Sequence, residues 1–189
     1  MQCIIDFIRD NNLDFVSFQE TKKESFEDSF LNYASSDFVW NYLPAEGTAG
    51  GILVGINERK FEALAWQKTK FYVSVMIKNC DTKLVWRFIT VYGSPYEEGK
   101  SDFIQELYDL VGNWDGTTLI GGDFNLLANR NEKSNGVVNQ KWVDSFQEWI
   151  HHFGLLELKN SSRSYTWTNN QDQPIMAAID KLICNTHFE

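Results

Sequence analysis

Residues 38–91 read as one strand after another, and that run limits the fold more than any other feature of the chain. Phe38-Val39-Trp40-Asn41-Tyr42-Leu43, Gly50-Gly51-Ile52-Leu53-Val54-Gly55-Ile56, Phe71-Tyr72-Val73-Ser74-Val75-Met76-Ile77 and Lys83-Leu84-Val85-Trp86-Arg87-Phe88-Ile89-Thr90-Val91 are dense in β-branched and aromatic residues. Between the last two, Asn79-Cys80-Asp81-Thr82 reads as a hairpin turn. Helical spacing appears on either side of the run. Ile4, Ile5, Phe7 and Ile8 recur at three- and four-residue intervals before Asn11-Asn12, and residues 25–33 form a weaker, acidic helical pattern. Residues 101–114 place Phe103, Ile104, Leu107, Leu110 and Val111 on one face, with Ser101 as the expected N-cap. Residues 141–152 do the same with Trp142, Val143, Phe146, Trp149 and Ile150. Shorter strand patterns lie at residues 14–20, 164–167 and 177–183. Strands in two groups, each with helices nearby, predict an α/β (α+β) chain of two packed sheets with helices outside.

At 189 residues the chain is expected to form a single domain, 1–189, burying roughly 70% of its unfolded surface. Its 43% hydrophobic and 15% aromatic content is that of a packed core and excludes a disordered chain. No stretch approaches the ~20 apolar residues of a membrane span, and no basic-then-apolar leader opens the chain, so no membrane partner and an intracellular location are expected. Cys3, Cys80 and Cys184 are odd in number and widely spaced, which suits a reducing compartment and makes no metal cluster. The net charge of -9 is the wrong sign for direct phosphate neutralisation. An acidic domain still acts on phosphodiesters when a divalent cation stands between its carboxylates and the substrate.

Polar residues gather where strands end. Gly121-Gly122-Asp123-Phe124-Asn125 follows the apolar run Thr117-Thr118-Leu119-Ile120. On extended backbone Asp123 and Asn125 project the same way, a carboxylate beside an amide, and the glycines permit close approach of a ligand. Glu20 closes residues 14–20, Tyr92 closes the strand 87–91, and Asp180 lies inside the last strand. Carboxylates almost never sit fully buried without a partner or a metal, and C-terminal strand edges are where α/β proteins bind ligands. Read singly, each has a plain alternative, and for Gly121-Gly122-Asp123 it is a strand terminus with a polar cap. Glu20 before Thr21-Lys22-Lys23 also reads as a helix cap, Tyr92 as a half-buried aromatic before a turn, and Asp180-Lys181 as a surface ion pair. His151, His152 and His187 read as ordinary surface or core histidines.

Taken in order, Phe18-Gln19-Glu20-Thr21, Val91-Tyr92-Gly93, Gly121-Gly122-Asp123-Phe124-Asn125, Tyr165-Thr166-Trp167 and Ile179-Asp180-Lys181 resemble the endonuclease/exonuclease/phosphatase superfamily, the deoxyribonuclease-I-like group. Tyr42-Leu43-Pro44 ahead of Gly50-Gly51-Ile52-Leu53, and Asn131-Glu132-Lys133-Ser134, bring the resemblance closer to the endonuclease module of plant LINE-type retrotransposons. It covers nearly the whole chain.

The resemblance implies a four-layer sandwich of two mixed β-sheets flanked by helices. It implies a metal-dependent phosphodiester hydrolase of DNA endonuclease type acting on duplex DNA, located in the nucleus if the target is genomic. Glu20 matches the glutamate that binds Mg²⁺ or Mn²⁺, and Tyr92 the tyrosine that contacts phosphate. Asp123 matches the aspartate that orients or deprotonates water, Asn125 its amide partner, and Asp180 the aspartate that orients a histidine. Trp167 stands where the family places an aromatic near the DNA-facing edge, and it is expected in the core rather than as a contact. Three departures follow from the same comparison. The family's first strand, with a metal-site asparagine, and its last, with Ser-Asp-His, have no match between Met1 and Glu189, so truncation at both ends and weak or absent activity are expected. Ser94-Pro95 stands where an asparagine commonly binds phosphate. Two further expectations remain open: a catalytically dead remnant acting at most as a binding module, and a hydrolase of a small or lipid phosphoester. No protein partner is inferred.

Overall fold

The computed structural model describes residues 2–47, 49–159 and 164–186, with side chains from Ile5 onward. The chain forms two compact units, Met1–Thr90 and Val91–Glu189.

In the first unit, α1 (Gln2–Asp10) leads into β1 (Phe15–Gln19), then α2 (Asp28–Ala34), β2 (Phe38–Glu46), β3 (Ala49–Asn57), β4 (Phe61–Lys68), β5 (Tyr72–Asn79) and β6 (Val85–Tyr92), whose last two residues open the second unit. β3 is the middle strand of an antiparallel sheet of order β1-β3-β2. Being covered on both faces, it reads as a continuous apolar run, with Ile52, Val54 and Ile56 wholly buried. Gly55 lies under the Trp40 ring, where a methyl group would collide with it. β4 pairs antiparallel with β5, and β6 follows on the other side of β5. Phe15 of β1 meets Phe61, Trp86 and Phe88 of the second strand group at ring-centroid distances of 4.5, 5.4 and 5.5 Å, which joins the two strand groups through an aromatic core. The expected turn at Asn79-Cys80-Asp81-Thr82 forms, with Asn79 Oδ1 accepting from the main-chain N–H groups of Asp81 and Thr82 at 2.9 Å each. β4 was hidden in the sequence, because a bulge between Ala63 and Ala65 breaks its alternation.

The second unit continues with α3 (Glu97–Gly112), β7 (Thr118–Asp123), α4 (Gln140–His152), β8 (Leu156–Glu157), β9 (Trp167–Thr168), β10 (Met176–Ala177) and β11 (Asp180–Cys184). β11 runs antiparallel between β7 and β8, and β9 pairs with β10. Phe124 is fully buried and packs on Phe103 of α3 and on Phe146 and Trp149 of α4, with centroids 5.4–6.3 Å apart. The residue between Asp123 and Asn125 therefore anchors their turn in the core between the two helices.

Three sequence expectations are corrected. α3 starts at Glu97, not Ser101, so Ser101 is inside the helix and caps nothing. The strand expected over 177–183 is two strands, because Ala178 N–H bonds Glu132 O (2.9 Å) and Ile179 N–H bonds Thr166 Oγ1 (3.2 Å), both outside the ladder. Trp167 is 45% exposed on β9 and is not a core residue. Among the described residues no helix is long and apolar enough to cross a membrane.

Candidate functional site

Four of the five residues singled out in the sequence meet at one edge of the second unit. Asp123 ends β7 and is directly opposite Asp180, the first residue of β11. On its other side, Gly93 N–H donates to Asp123 O at 2.7 Å, which brings the end of β6 and Tyr92 alongside. Tyr92, Asp123 and Asn125 are half-buried, and Asp180 is exposed. Asp180 thus opens its strand instead of lying inside it, as the sequence suggested.

Asp123 and Asn125 are not side by side on extended backbone as the sequence predicted. Asn125 has φ +48°, in the left-handed region that asparagine tolerates better than most residues. Its N–H donates to Asp123 Oδ1 at 2.9 Å, closing an Asx turn. Its side-chain Nδ2 donates to Gly93 O at 2.9 Å. Phe124 N–H donates to Ile179 O at 3.0 Å, tying the turn to the segment before Asp180. The glycines serve this crossing of backbones. A methyl at Gly93 would fall on Phe124 O, and one at Gly122, where φ is +136°, on Val91 O.

Sequence reasoning missed four contributors. Lys100 of α3 reaches the turn, and its Nζ donates to Asn125 O at 2.6 Å and to Ser94 O at 3.1 Å. Burial pushes its pKa below the ordinary lysine value, while Glu97 and then Asp123 pull it back up. Thr166 Oγ1 accepts from the N–H groups of Ile179 (3.2 Å) and Asp180 (3.0 Å), which fixes where β11 begins. Lys181, expected in a surface pair with Asp180, is buried with no exposed side-chain area. It pairs with Glu132 at 2.9 Å and Glu157 at 3.5 Å. Glu132 in turn accepts from Ala128 N–H (2.7 Å) and Asn129 Nδ2 (3.1 Å), so the segment carrying Asn131-Glu132-Lys133-Ser134 is clamped beneath Asp180. The signal for the clamp was the alternation itself: in Asp180-Lys181-Leu182 the lysine occupies the inward position between two outward ones. Ser94 is buried and its hydroxyl donates to Tyr96 O at 2.9 Å, which keeps it within its own turn.

The fifth residue, Glu20, belongs to the first unit. It lies one position past β1 with φ +53°, exposed, and starts no helix. Main-chain bonds hold its turn against the β2–β3 hairpin: Thr21 N–H to Gly51 O (3.3 Å), Lys22 N–H to Gly50 O (3.0 Å) and Ala45 N–H to Lys23 O (2.8 Å). Among the described residues no group of three or more His, Cys, Asp or Glu gathers as a ready-made metal cage. A single exposed carboxylate at a rigid turn still fits Mg²⁺, which keeps most of its waters and completes its shell with substrate oxygens. His151 and His152 lie at the end of α4, exposed, and His187 is outside the described residues.

A profile of the endonuclease/exonuclease/phosphatase family matches residues 1–189. The chain belongs to this family. No curated protein matches it. Similar solved structures include the endonuclease domain of TRAS1, a telomere-specific non-LTR retrotransposon (TM-score 0.70, 13% identity, covering 97% of this chain and 78% of that one). They include D. rerio TDP2 complexed with a single-strand DNA product (0.64, 9%, 97% and 75%). Human nocturnin with bound sulfate is another (0.62, 10%, 98% and 74%). At these identities the likeness establishes the fold: an α/β fold of two main sheets with flanking helices, of the deoxyribonuclease-I-like kind. Members of the endonuclease/exonuclease/phosphatase family are generally divalent-metal dependent and share a phosphodiesterase- or nuclease-type fold.

Proposed function

We propose that this chain is a metal-dependent phosphodiester hydrolase domain of DNA endonuclease type, similar to the module of LINE-type retrotransposons. The observation that carries the reading is the alignment of Tyr92, Asp123, Asn125 and Asp180 across three adjoining strand ends, with Asp123 and Asn125 locked in one turn. The likeness to a retrotransposon endonuclease domain and to a TDP2 complexed with a single-strand DNA product supports nucleic acid as substrate, and duplex DNA is the substrate that the family resemblance suggests.

Glu20 is the carboxylate that would hold Mg²⁺ or Mn²⁺, and the ion would supply charge neutralisation at the phosphate. Asp123 orients a water and takes its proton as the water oxygen bonds to phosphorus. The P–O3′ bond breaks, O3′ takes a proton from solvent, and a 3′-hydroxyl and a 5′-phosphate remain. The Tyr92 hydroxyl donates to a phosphate oxygen. One N–H of the Asn125 amide is engaged on Gly93 O, and the other is available to the nucleophile or the phosphate. Asp180 is set to orient a histidine, and among the described residues no histidine shares its edge. A second reading keeps the fold and lets the domain bind DNA without cutting it. The test is nicking of supercoiled plasmid with Mg²⁺, with chelator, and with Asp123→Ala. Nicking that chelator and the variant both abolish supports the hydrolase, nicking insensitive to either contradicts it, and Mg²⁺-dependent binding without nicking selects the second reading.

A further inference from the structure

Lys100 was assigned no role by its sequence pattern, yet it holds the centre of the Asp123 turn. Its Nζ bridges the loops that follow β6 and β7, donating to Ser94 O at 3.1 Å and Asn125 O at 2.6 Å. Both acceptors are neutral main-chain carbonyls. The charge of the ammonium is left to act on its surroundings, and the carboxylates that act on it are Glu97, from its own helix, and Asp123, from β7. Glu97 is partly committed elsewhere, its Oε1 accepting from Trp142 Nε1 (2.6 Å) and Asn139 Nδ2 (3.1 Å). That pair of bonds fixes the first turn of α3 against the start of α4, and with it the point from which Lys100 extends. The ammonium is half-buried, where charge–charge interactions are screened less than at the surface.

We propose that Lys100 is a positioning residue for this turn, holding Asn125 in its left-handed conformation and keeping a positive charge beside Asp123. The anchoring part stands on the hydrogen bonds alone. The catalytic part rests on the reading of Asp123 as the proton acceptor: a neighbouring cation keeps that carboxylate ionised and fixed before water arrives.

The experiment is a carboxyl-¹³C NMR titration of Asp123 in the full chain, with amide hydrogen exchange at Asn125, for wild type, Lys100→Met and Lys100→Arg. Lys100→Met raises the Asp123 midpoint and speeds Asn125 exchange by about tenfold, as loss of one charge-assisted bond implies, and Lys100→Arg keeps both near wild type. A folded Lys100→Met with both unchanged overturns the proposal, as does an Asp123 midpoint that Lys100→Arg fails to restore. A second measurement covers the case in which Lys100→Met does not fold: Asp123→Asn lowers the Lys100 ammonium pKa, and an unchanged value overturns the proposal. Plasmid nicking separates the two readings. Absent nicking with the coupling present removes the catalytic reading of Asp123 and leaves Lys100 coupled to it, whereas nicking without the coupling removes only Lys100.

Discussion

The turn at Glu20 and the turn at Asp123 differ in how far side chains hold their shape. Both leave the end of a strand, and both pass through left-handed backbone, at Glu20 and Lys22 in one and at Asn125 in the other. The backbone of the Glu20 turn is held by main-chain bonds to Gly50, Gly51 and Ala45, and the Glu20 residue itself is exposed. The Asp123 turn adds side chains to its main-chain bonds with Gly93 and Ile179: the Asp123 carboxylate, the Asn125 amide and the Lys100 ammonium all serve its shape. A turn of the first kind presents a charge cheaply and tolerates its loss. A turn of the second kind couples its chemistry to its architecture, so changing a side chain alters both.

The contrast is sharpened most by the clamp beneath the second turn. Lys181→Met leaves Glu132 buried without its cation and should cost about 3–5 kcal/mol in chemical denaturation. A cost under about 1 kcal/mol would mean that the pair behaves like a surface one. The glycines come next. Gly93→Ala drives a methyl onto the Phe124 carbonyl and should cost roughly 3 kcal/mol, whereas Gly47→Ala, at an open left-handed position, should cost about 1 kcal/mol. Equal costs would show that the backbone crossing at Gly93 is looser than described. Asn125→Ala removes the bond to Gly93 O and an asparagine from left-handed backbone, for about 1–2 kcal/mol, while Glu20→Ala should stay within about 0.5 kcal/mol. If the two were reversed, the comparison between the turns would fail.

The smallest effect is in pH. Burial lowers the Lys100 pKa below 10.5, so between the folded and unfolded values the unfolded chain binds more proton. Stability from this group therefore rises as pH increases through that window, and wild type should gain on Lys100→Met between neutral pH and about pH 10.5, the unfolded lysine value. Parallel stability profiles would contradict the half-buried placement of the ammonium.

The sequence exposed what depends on local pattern and hid what depends on distance along the chain. β3, α4 and the turn after β5 follow from residues within a few positions of one another. Tyr92 and Asp123 were legible because each closes a strand, whereas Asp180 read as lying inside a strand that it in fact opens. Lys181 looked like half of a surface pair because its true partner, Glu132, is 49 residues away. Lys100 stayed invisible for a related reason. With α3 expected to start at Ser101, it lay outside the helix that aims it at Asn125. The left-handed backbone at Asn125 has no signature in a run that reads as strand up to Asp123.

The central claim is that the edge formed by Tyr92, Asp123, Asn125 and Asp180 hydrolyses phosphodiesters with a divalent cation. Nicking of supercoiled plasmid by the full chain, wild type against Asp123→Ala, with Mg²⁺ and with chelator, tests it most directly. The account predicts nicking that leaves 3′-hydroxyl ends, lost in chelator and reduced at least about 100-fold in the variant. Nicking that persists in chelator, or that Asp123→Ala leaves unchanged, would contradict it.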